Sequence, residues 1–457
     1  MATDQTQTQQ KTTPEDVRLS WLEVAGFKSH VSAHRIDFRG LTLFCGANSS
    51  GKSSVLQPLL LLKQTIDALP ADSGALKLGG ENVSYSSPAQ FLSFGVNKKK
   101  AVTEFTLGIG LGAQNAIIAK YASEDDEIDV VTTTYRKGGG TLELNRGNPL
   151  PIQAVVQADL LAVPSSTLAK WARDLPARAG KVPDAIVVRS GPFLVPDIGV
   201  GTLVPVTSIS HLRWQLSRLM HLSGHRGNPL RQYPVFAAGG TQPGLFHPRA
   251  AAIVAAWARI GDPRLDKLSD AMSSLGLTWK VVAKKIDATT VEVQVGRTAA
   301  PQQGGAQDLV SIADVGFGVS QTLPVVVALV AAERDQIVYI EQPEIHLHPR
   351  AQKAMADLIA SAVNRGARVI VETHSEIILT RIQYLIANDN LPASDVVAHW
   401  FVRDAKTGES KVTRAQPAAD GSLGDWPADF ADVGAEVDRE YADAAFDRLS
   451  EGGEEQP

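Results

Sequence analysis

The sequence predicts an α/β protein: a mostly parallel sheet with crossover helices, built from both ends of the chain, with an antiparallel arm sheet and a helical lid inserted between the two halves. Three observations predict it. From residue 321 the chain reads helix, strand, helix, strand (QTLPVVVALVAAER, QIVYIEQP, PRAQKAMADLIASAVNRG, ARVIVETHS). Strands that are continuous Val/Ile runs between helices of this length belong to a parallel sheet covered on both faces. Near the other end, GANSSGKS joins the apolar strand LTLFC to an apolar helix. Between 101 and 145, VTEFTLGIGLG, AIIAKYA, DVVTTTYR and GTLELN alternate and are broken by glycine-rich turns, the pattern of antiparallel strands.

In chain order, residues 1–16 are polar without an apolar period and are expected to be disordered, as is the tail at 450–457. Residues 17–145 form the first half of the head. Strands LEVAGF, AHRIDF and LTLFCGA lead into a helix from Lys52 through Leu62, and the antiparallel sheet follows. Residues 146–300 turn helical in places (DLLAVPSSTLAKWARDL, ISHLRWQLSRLMHL, PRAAAIVAAWARI) but are interrupted by Pro and Gly. Without sustained heptads this segment is a compact lid with return strands, not a coiled-coil arm. After the polar break PQQGGAQ, residues 301–449 supply the second half of the head, where Met355, Leu358, Ile359 and Ala362 share the helix face expected to pack on the sheet.

Composition narrows the classes. The 457 residues are 44% hydrophobic, ample for a core, and the net charge of −5 gives no global basic field to steer the chain onto nucleic acid. Lys98-Lys99-Lys100 reads as a solvated turn. The single cysteine, Cys45, excludes internal disulfides and tetrahedral cysteine zinc sites, and reads as a small buried hydrophobe closing its strand. The longest apolar runs, Leu59–Leu62 and Leu323–Ala332, fall short of the ~20 residues of a membrane helix. A soluble, cytoplasmic protein is expected, without a membrane partner.

Four stretches carry chemistry. In GANSSGKS, residues Gly46, Ala47, Asn48, Ser49, Ser50, Gly51, Lys52 and Ser53, followed by Ser54, fit G-x-x-x-x-G-K-[ST] with the flanks that motif requires. The glycines let successive N–H groups point at a β-phosphate, Lys52 reaches the β- and γ-phosphates, and the Ser53 hydroxyl is placed to ligate Mg²⁺. ATP and Mg²⁺ are therefore the expected cofactors. IADVGFGVSQTLPVV sets a Gly-x-Gly-x-Ser turn before an apolar helix, with Ser320 expected at the N-cap and Pro324 in the first turn. IEQPEIHLHP ends an apolar strand in Glu341-Gln342, where a phosphate-cleaving site usually has an acidic pair; glutamine cannot take a proton. VETHS ends the next strand with His374, able to donate to a γ-phosphate or to water. His346 and His348 beside Glu344 invite a metal reading, but the helix start at Pro349 accounts for that turn.

The order GANSSGKS, VGFGVSQ, IEQPEIHLHP, VETHS resembles the ABC-type head ATPases of the SMC/RecF/OLD group, in particular their compact bacterial AAA-family branch. FKSHVSAHRIDF, GKSSVLQPLLLLKQT, HLSGHRGNPLRQYP and GSLGDWPADF resemble flanking segments of that group, the likeness being strong at both ends and weak in the middle. The resemblance implies an ABC-type P-loop ATPase head in which the four stretches are the Walker A loop, the signature loop, Walker B and the switch histidine. It further implies that Gly318, Ser320 and Gln321 face the ATP of a second copy, so that dimerisation depends on nucleotide. Glu341 stands where Walker B usually has aspartate and Gln342 where the catalytic glutamate usually stands. Gln90, in SPAQFLSFG, matches a glutamine that contacts magnesium.

The resulting expectation is a slow, Mg²⁺-dependent ATPase that dimerises head to head, with Ser53, Glu341 and Gln90 on the metal and with Gln342 orienting water, assisted by Glu344 or His374. By analogy it is the sensor or motor of a DNA-maintenance or anti-phage defence system, acting with a separately encoded effector such as a nuclease, with DNA a possible object. A nucleotide-gated assembly scaffold with negligible hydrolysis is the alternative, favoured by Gln342. An OLD-like nuclease is disfavoured: no Asp-x-Asp follows a strand after His374.

Overall fold

The computed structural model describes residues 18–68, 74–94, 102–150, 185–197, 206–235, 244–298, 308–424, 439–444, 446 and 448. The expectations for both termini, for DLLAVPSSTLAKWARDL, for Lys98-Lys99-Lys100 and for PQQGGAQ fall outside them.

Strands β1 (Leu19–Ala25), β2 (His34–Asp37) and β3 (Leu41–Gly46) precede helix α1 (Lys52–Asp67). Then come β4 (Glu104–Leu111), β5 (Asn115–Glu124), β6 (Glu127–Lys137), β7 (Gly140–Asn145), β8 (Pro149–Leu150), β9 (Ala185–Ser190) and β10 (Phe193–Asp197). The middle continues with α2 (Thr207–Ser217), β11 (Met220–Leu222), β12 (Tyr233–Pro234), α3 (Ala250–Ile260), α4 (Arg264–Ser274), β13 (Val281–Lys285), β14 (Thr290–Gly296) and β15 (Leu309–Ser311). The last part holds α5 (Phe317–Ala331), β16 (Ile337–Glu341), α6 (Pro349–Asn364), β17 (Arg368–Thr373), α7 (Glu376–Ala387), β18 (Val396–Arg403) and β19 (Ser410–Ala415).

The head sheet runs β11-β16-β17-β3-β18-β19. Its first five strands are parallel and only β19 is antiparallel, at the edge. β3 and β17 are buried at every residue, as their apolar runs require of strands covered on both faces. One cover is α1 with the antiparallel sheet β2-β1-β4-β5-β6-β7, whose cluster includes Phe44, Leu59, Phe105 and Tyr339. The other is α5, α6 and α7, packed with Leu43, Ile340 and Val371. On α6 the expected face is buried at Met355, Ile359 and Ala362, with Leu358 half-buried against the same cluster. Here is the mostly parallel α/β head with an antiparallel arm sheet that the sequence predicts. No helix among the described residues is long and apolar enough to cross a membrane.

Two local expectations are corrected. α5 starts at Phe317 with Gly316 as N-cap, so Ser320 lies inside the first turn and its hydroxyl donates back to the Phe317 carbonyl at 3.3 Å. Pro324 then falls in the helix interior. The glycine turn is tighter than the capping pattern suggested, because residues 317–320 already take helical geometry. Second, Met220–Leu222, in the stretch expected as lid, pairs in parallel with Val338–Ile340 and forms the edge of the head sheet. It therefore brings the segment that follows it to the end of β16.

Candidate nucleotide site

The loop between β3 and α1 needs glycine at two points. Gly46 has φ 144° and Gly51 φ 105°. A Cβ on Gly46 would run into the Phe401 carbonyl, and one on Gly51 into the Ser410 hydroxyl, with Ser29 Oγ at 3.0 Å and His30 Nε2 at 3.1 Å. Lys52 curls back into the loop, donating to the Gly46 and Ala47 carbonyls at 2.9 and 2.6 Å. Burial lowers its pKa, against the pull of Glu372. The fully buried His30 ring braces the loop from below, with Nε2 3.0 Å from the Gly51 carbonyl and 3.3 Å from Ser54 Oγ. Burial holds its pKa down at about 4.

Above the loop lies an open cleft of about 840 Å³, lined by residues 48–54, Gln57, Gln90, Gln342, Glu372, His374 and Arg403. Residues from distant stretches of the chain therefore converge on one cleft. Gln90, expected near the metal, lines the same cleft; its side chain is bonded to the Ser86 backbone N–H and hydroxyl at 2.9 and 2.8 Å. His374 is half-buried, and burial followed by the charge of Lys52 lowers its pKa. Gln342 adopts φ 47°, and its N–H donates to the Glu372 carbonyl at 2.7 Å.

Two acidic residues stand differently from expectation. Glu344, expected as an assisting base, does not line the cleft; its Oε1 accepts the His374 backbone N–H at 2.7 Å. Past Pro343, this carboxylate thus supports the His374 backbone. Burial raises its pKa, partly countered by that bond. Glu341, expected on the metal, points toward the β11 side. Its Oε1 is 3.0 Å from His221 Nε2, and its Oε2 accepts the Gly224 N–H at 3.1 Å. Burial alone would raise its pKa; the hydrogen bonds from His221 and Gly224 bring it below the ordinary value.

The carboxylate that meets Ser53 is Glu372, with Oε1 accepting the Ser53 hydroxyl at 2.7 Å and Oε2 the Tyr339 hydroxyl at 3.1 Å. Burial, then the negative charge of Glu341, pushes its pKa up to about 7. Sequence reasoning quoted VETHS for its histidine and passed over this glutamate, although an acid in a strand buried throughout was a signal. It also passed over His221 and Arg226 in HLSGHRGNPLRQYP. His221 stacks flat on Tyr339, with ring centroids 5.0 Å apart, and Arg226 donates to the Glu341 carbonyl at 2.6 Å. The oxygen donors Ser53 and Glu372, with Gln90 lining the same cleft, suit a hard cation such as Mg²⁺. His348, by contrast, caps α6, its Nδ1 accepting from the Arg350 N–H at 3.4 Å.

Gly318, Ser320 and Gln321 do not line this cleft. They sit at the start of α5, where Phe317 is 54% exposed beside His346 and where Gln321 donates to the Gly227 carbonyl at 2.6 Å.

Comparison with known families adds one decisive observation: residues 261–379 match the model described as AAA ATPase domain. That stretch, about a quarter of the chain, is similar to an AAA ATPase domain. It takes in the α5 turn, the β16 strand end and His374, whereas the phosphate loop lies upstream of it. No curated protein matches the chain. Among solved structures, this chain is similar to an SmcHead bound to the C-winged helix domain of ScpA, at 13% identity and TM-score 0.47, over 87% of this chain and 98% of that one. It is also similar to the SMC head domain from Thermotoga maritima, at 12% identity and TM-score 0.37, over 87% of this chain and 99% of that one.

Proposed function

We propose that the chain binds ATP with Mg²⁺, hydrolyses it slowly, and pairs head to head with a second copy while ATP is held between them. One observation carries this reading: the phosphate loop, Gln342, Glu372 and His374 line a single cleft. In it Lys52 leaves the Gly46 and Ala47 carbonyls for the β- and γ-phosphates, and the N–H groups at the start of α1 face the same oxygens. Bound Mg²⁺ would neutralise charge on the β- and γ-phosphates, with Ser53 and a strand-end carboxylate holding it. Gln342 orients the attacking water, and the proton passes to the phosphate itself, a route open to a residue that cannot act as a base. His374, held by Glu344, faces the γ-phosphate. The placement of Gly318, Ser320 and Gln321 outside the cleft supports their meeting the ATP of a second copy.

At the level of the system, we take the head pair as the sensor or motor of a DNA-maintenance or defence system acting with a separate effector, such as a nuclease, on the analogy already drawn. Gln342 favours a second reading, a nucleotide-gated scaffold that assembles on ATP with negligible turnover. Steady-state phosphate release and oligomeric state, each with and without ATP, test both. Slow release with ATP-dependent dimers supports the first; dimers without release support the second; neither dimers nor release refutes both.

A further inference from the structure

The head sheet places β17 between β3 and β16, so a side chain at the end of β17 is nearer the phosphate loop than any on β16. Glu372 occupies that place, paired in register with Glu341 on one side and Phe44 on the other. We infer that Glu372, and not Glu341 of the Walker B strand, is the carboxylate that directly ligates the divalent cation of the bound nucleotide beside Ser53. The inference deepens the nucleotide reading and rests on it.

Three features of the geometry carry the assignment. Adjacent oxygens around an octahedral Mg²⁺, each 2.0–2.1 Å from the ion, are about 2.9 Å apart. Ser53 Oγ and Glu372 Oε1 are 2.7 Å apart, so both oxygens can meet one cation with almost no movement of either, the hydroxyl keeping its proton and turning it away from Glu372. The second oxygen of Glu372 takes the Tyr339 hydroxyl at 3.1 Å, an outer contact of the kind that fixes a ligand's orientation. Third, both oxygens of Glu341 are engaged on the far side, by His221 and Gly224. To reach the cation Glu341 would give up both bonds; Glu372 gives up one proton contact. Glu341 is thus a positioning residue that anchors the segment after β11 to the strand end.

The test uses the full-length protein with ATP and Mn²⁺, reading bound Mn²⁺ by electron paramagnetic resonance and ATP affinity in chelator by calorimetry. Glu372→Gln keeps shape and hydrogen-bonding capacity but removes the charge. It should weaken Mn²⁺ in the ATP complex by ~10²-fold or more while leaving metal-free ATP affinity equal or tighter. Glu341→Gln should hold Mn²⁺ within about threefold of the parent. If Glu372→Gln does not fold, Glu372→Asp, whose carboxylate is drawn back by one methylene, should weaken Mn²⁺ by ~10-fold. Loss of Mn²⁺ in Glu341→Gln with retention in Glu372→Gln overturns the assignment, as does equal loss in both. A parent protein that binds no ATP in chelator fails differently, since it removes the nucleotide reading itself.

Discussion

Replacing Arg226 by methionine separates folding from positioning. The side chain is 5% exposed, and its Nη2 donates to the Glu341 carbonyl at 2.6 Å and to the Gln342 carbonyl at 3.4 Å. A charge-assisted bond of the first kind contributes about 2–3 kcal/mol, and the second is too long to add much. Against this, burial lowers the guanidinium pKa from 12.5 to about 10 despite the attraction of Glu341 and Glu344, a bias against the charged form of about 3 kcal/mol. The two effects nearly offset, as expected when a buried charge gives way to an apolar side chain of similar volume. Arg226→Met should therefore shift the unfolding free energy by no more than about 1 kcal/mol. Positioning has no such offset. Gln342 sits at φ 47°, which costs a non-glycine residue about 1–2 kcal/mol and is held in part by Arg226. Once released, the turn leaves the geometry that aims Gln342 into the cleft, and turnover should fall ~10-fold or more, each 1.4 kcal/mol being a factor of ten. Urea unfolding and steady-state phosphate release on the same preparation read both quantities. Parent-level turnover in a folded variant would refute the idea that Arg226 sets the water-positioning turn.

Lys52→Ala should leave the fold intact and weaken ATP by ~10²-fold or more, because the loop loses its one charge aimed at the phosphates; micromolar ATP affinity in the folded variant would contradict this. Ser320 is only 8% exposed, so an arginine there would disturb α5 itself. Gly316 is the better place, since a Cβ on it meets nothing within 4 Å. Gly316→Arg should keep ATP binding by the monomer and abolish ATP-dependent dimers in sedimentation, and dimers like the parent's would tell against head-to-head pairing. His30 gives a pH prediction: its pKa falls from 6.5 to about 4 in the fold, so the unfolded chain takes up the proton first. The corresponding stability, about 3 kcal/mol, is present above pH 6.5 and is lost as pH falls toward 4. Urea unfolding at pH 7 and pH 4.5 should show a smaller acid loss in His30→Gln than in the parent, the remainder including His247, whose pKa also drops to about 4.

What was legible in the sequence had local causes. A strand, a glycine-spaced loop and an apolar helix lie within 41–67, so β3, the loop and α1 could be placed from a short window. The α5 start was displaced because serine at a turn usually caps, whereas here Gly316 adopts the cap conformation and Ser320 bonds within the turn. Glu372 was missed because its proximity to Ser53 depends on strand order: β17 intervenes between β3 and β16, which no window of residues reveals. His221 and Arg226 were missed for a related reason. They lie over a hundred residues from Glu341 and reach it because β11 joins the sheet beside β16.

The glutamine at the Walker B end has an electrostatic rationale in this arrangement. Three carboxylates, Glu341, Glu344 and Glu372, crowd the strand ends, with Lys52 and Arg226 as their cationic neighbours. Glu372 already has its pKa raised to about 7, by burial first and by Glu341 second. A fourth carboxylate at 342 would add charge beside Glu372, since the Gln342 backbone bonds directly to the Glu372 carbonyl. It would make the ionised form of Glu372 harder to reach. Here β17, the strand between β3 and β16, contributes an acid, and the residue after Glu341 is a neutral amide. On the proposed function, the charge that the site can hold is thus placed next to Ser53 for the cation, and water is left to a residue that orients without taking a proton. On the proposed function, slow turnover is the expected outcome of that division of labour.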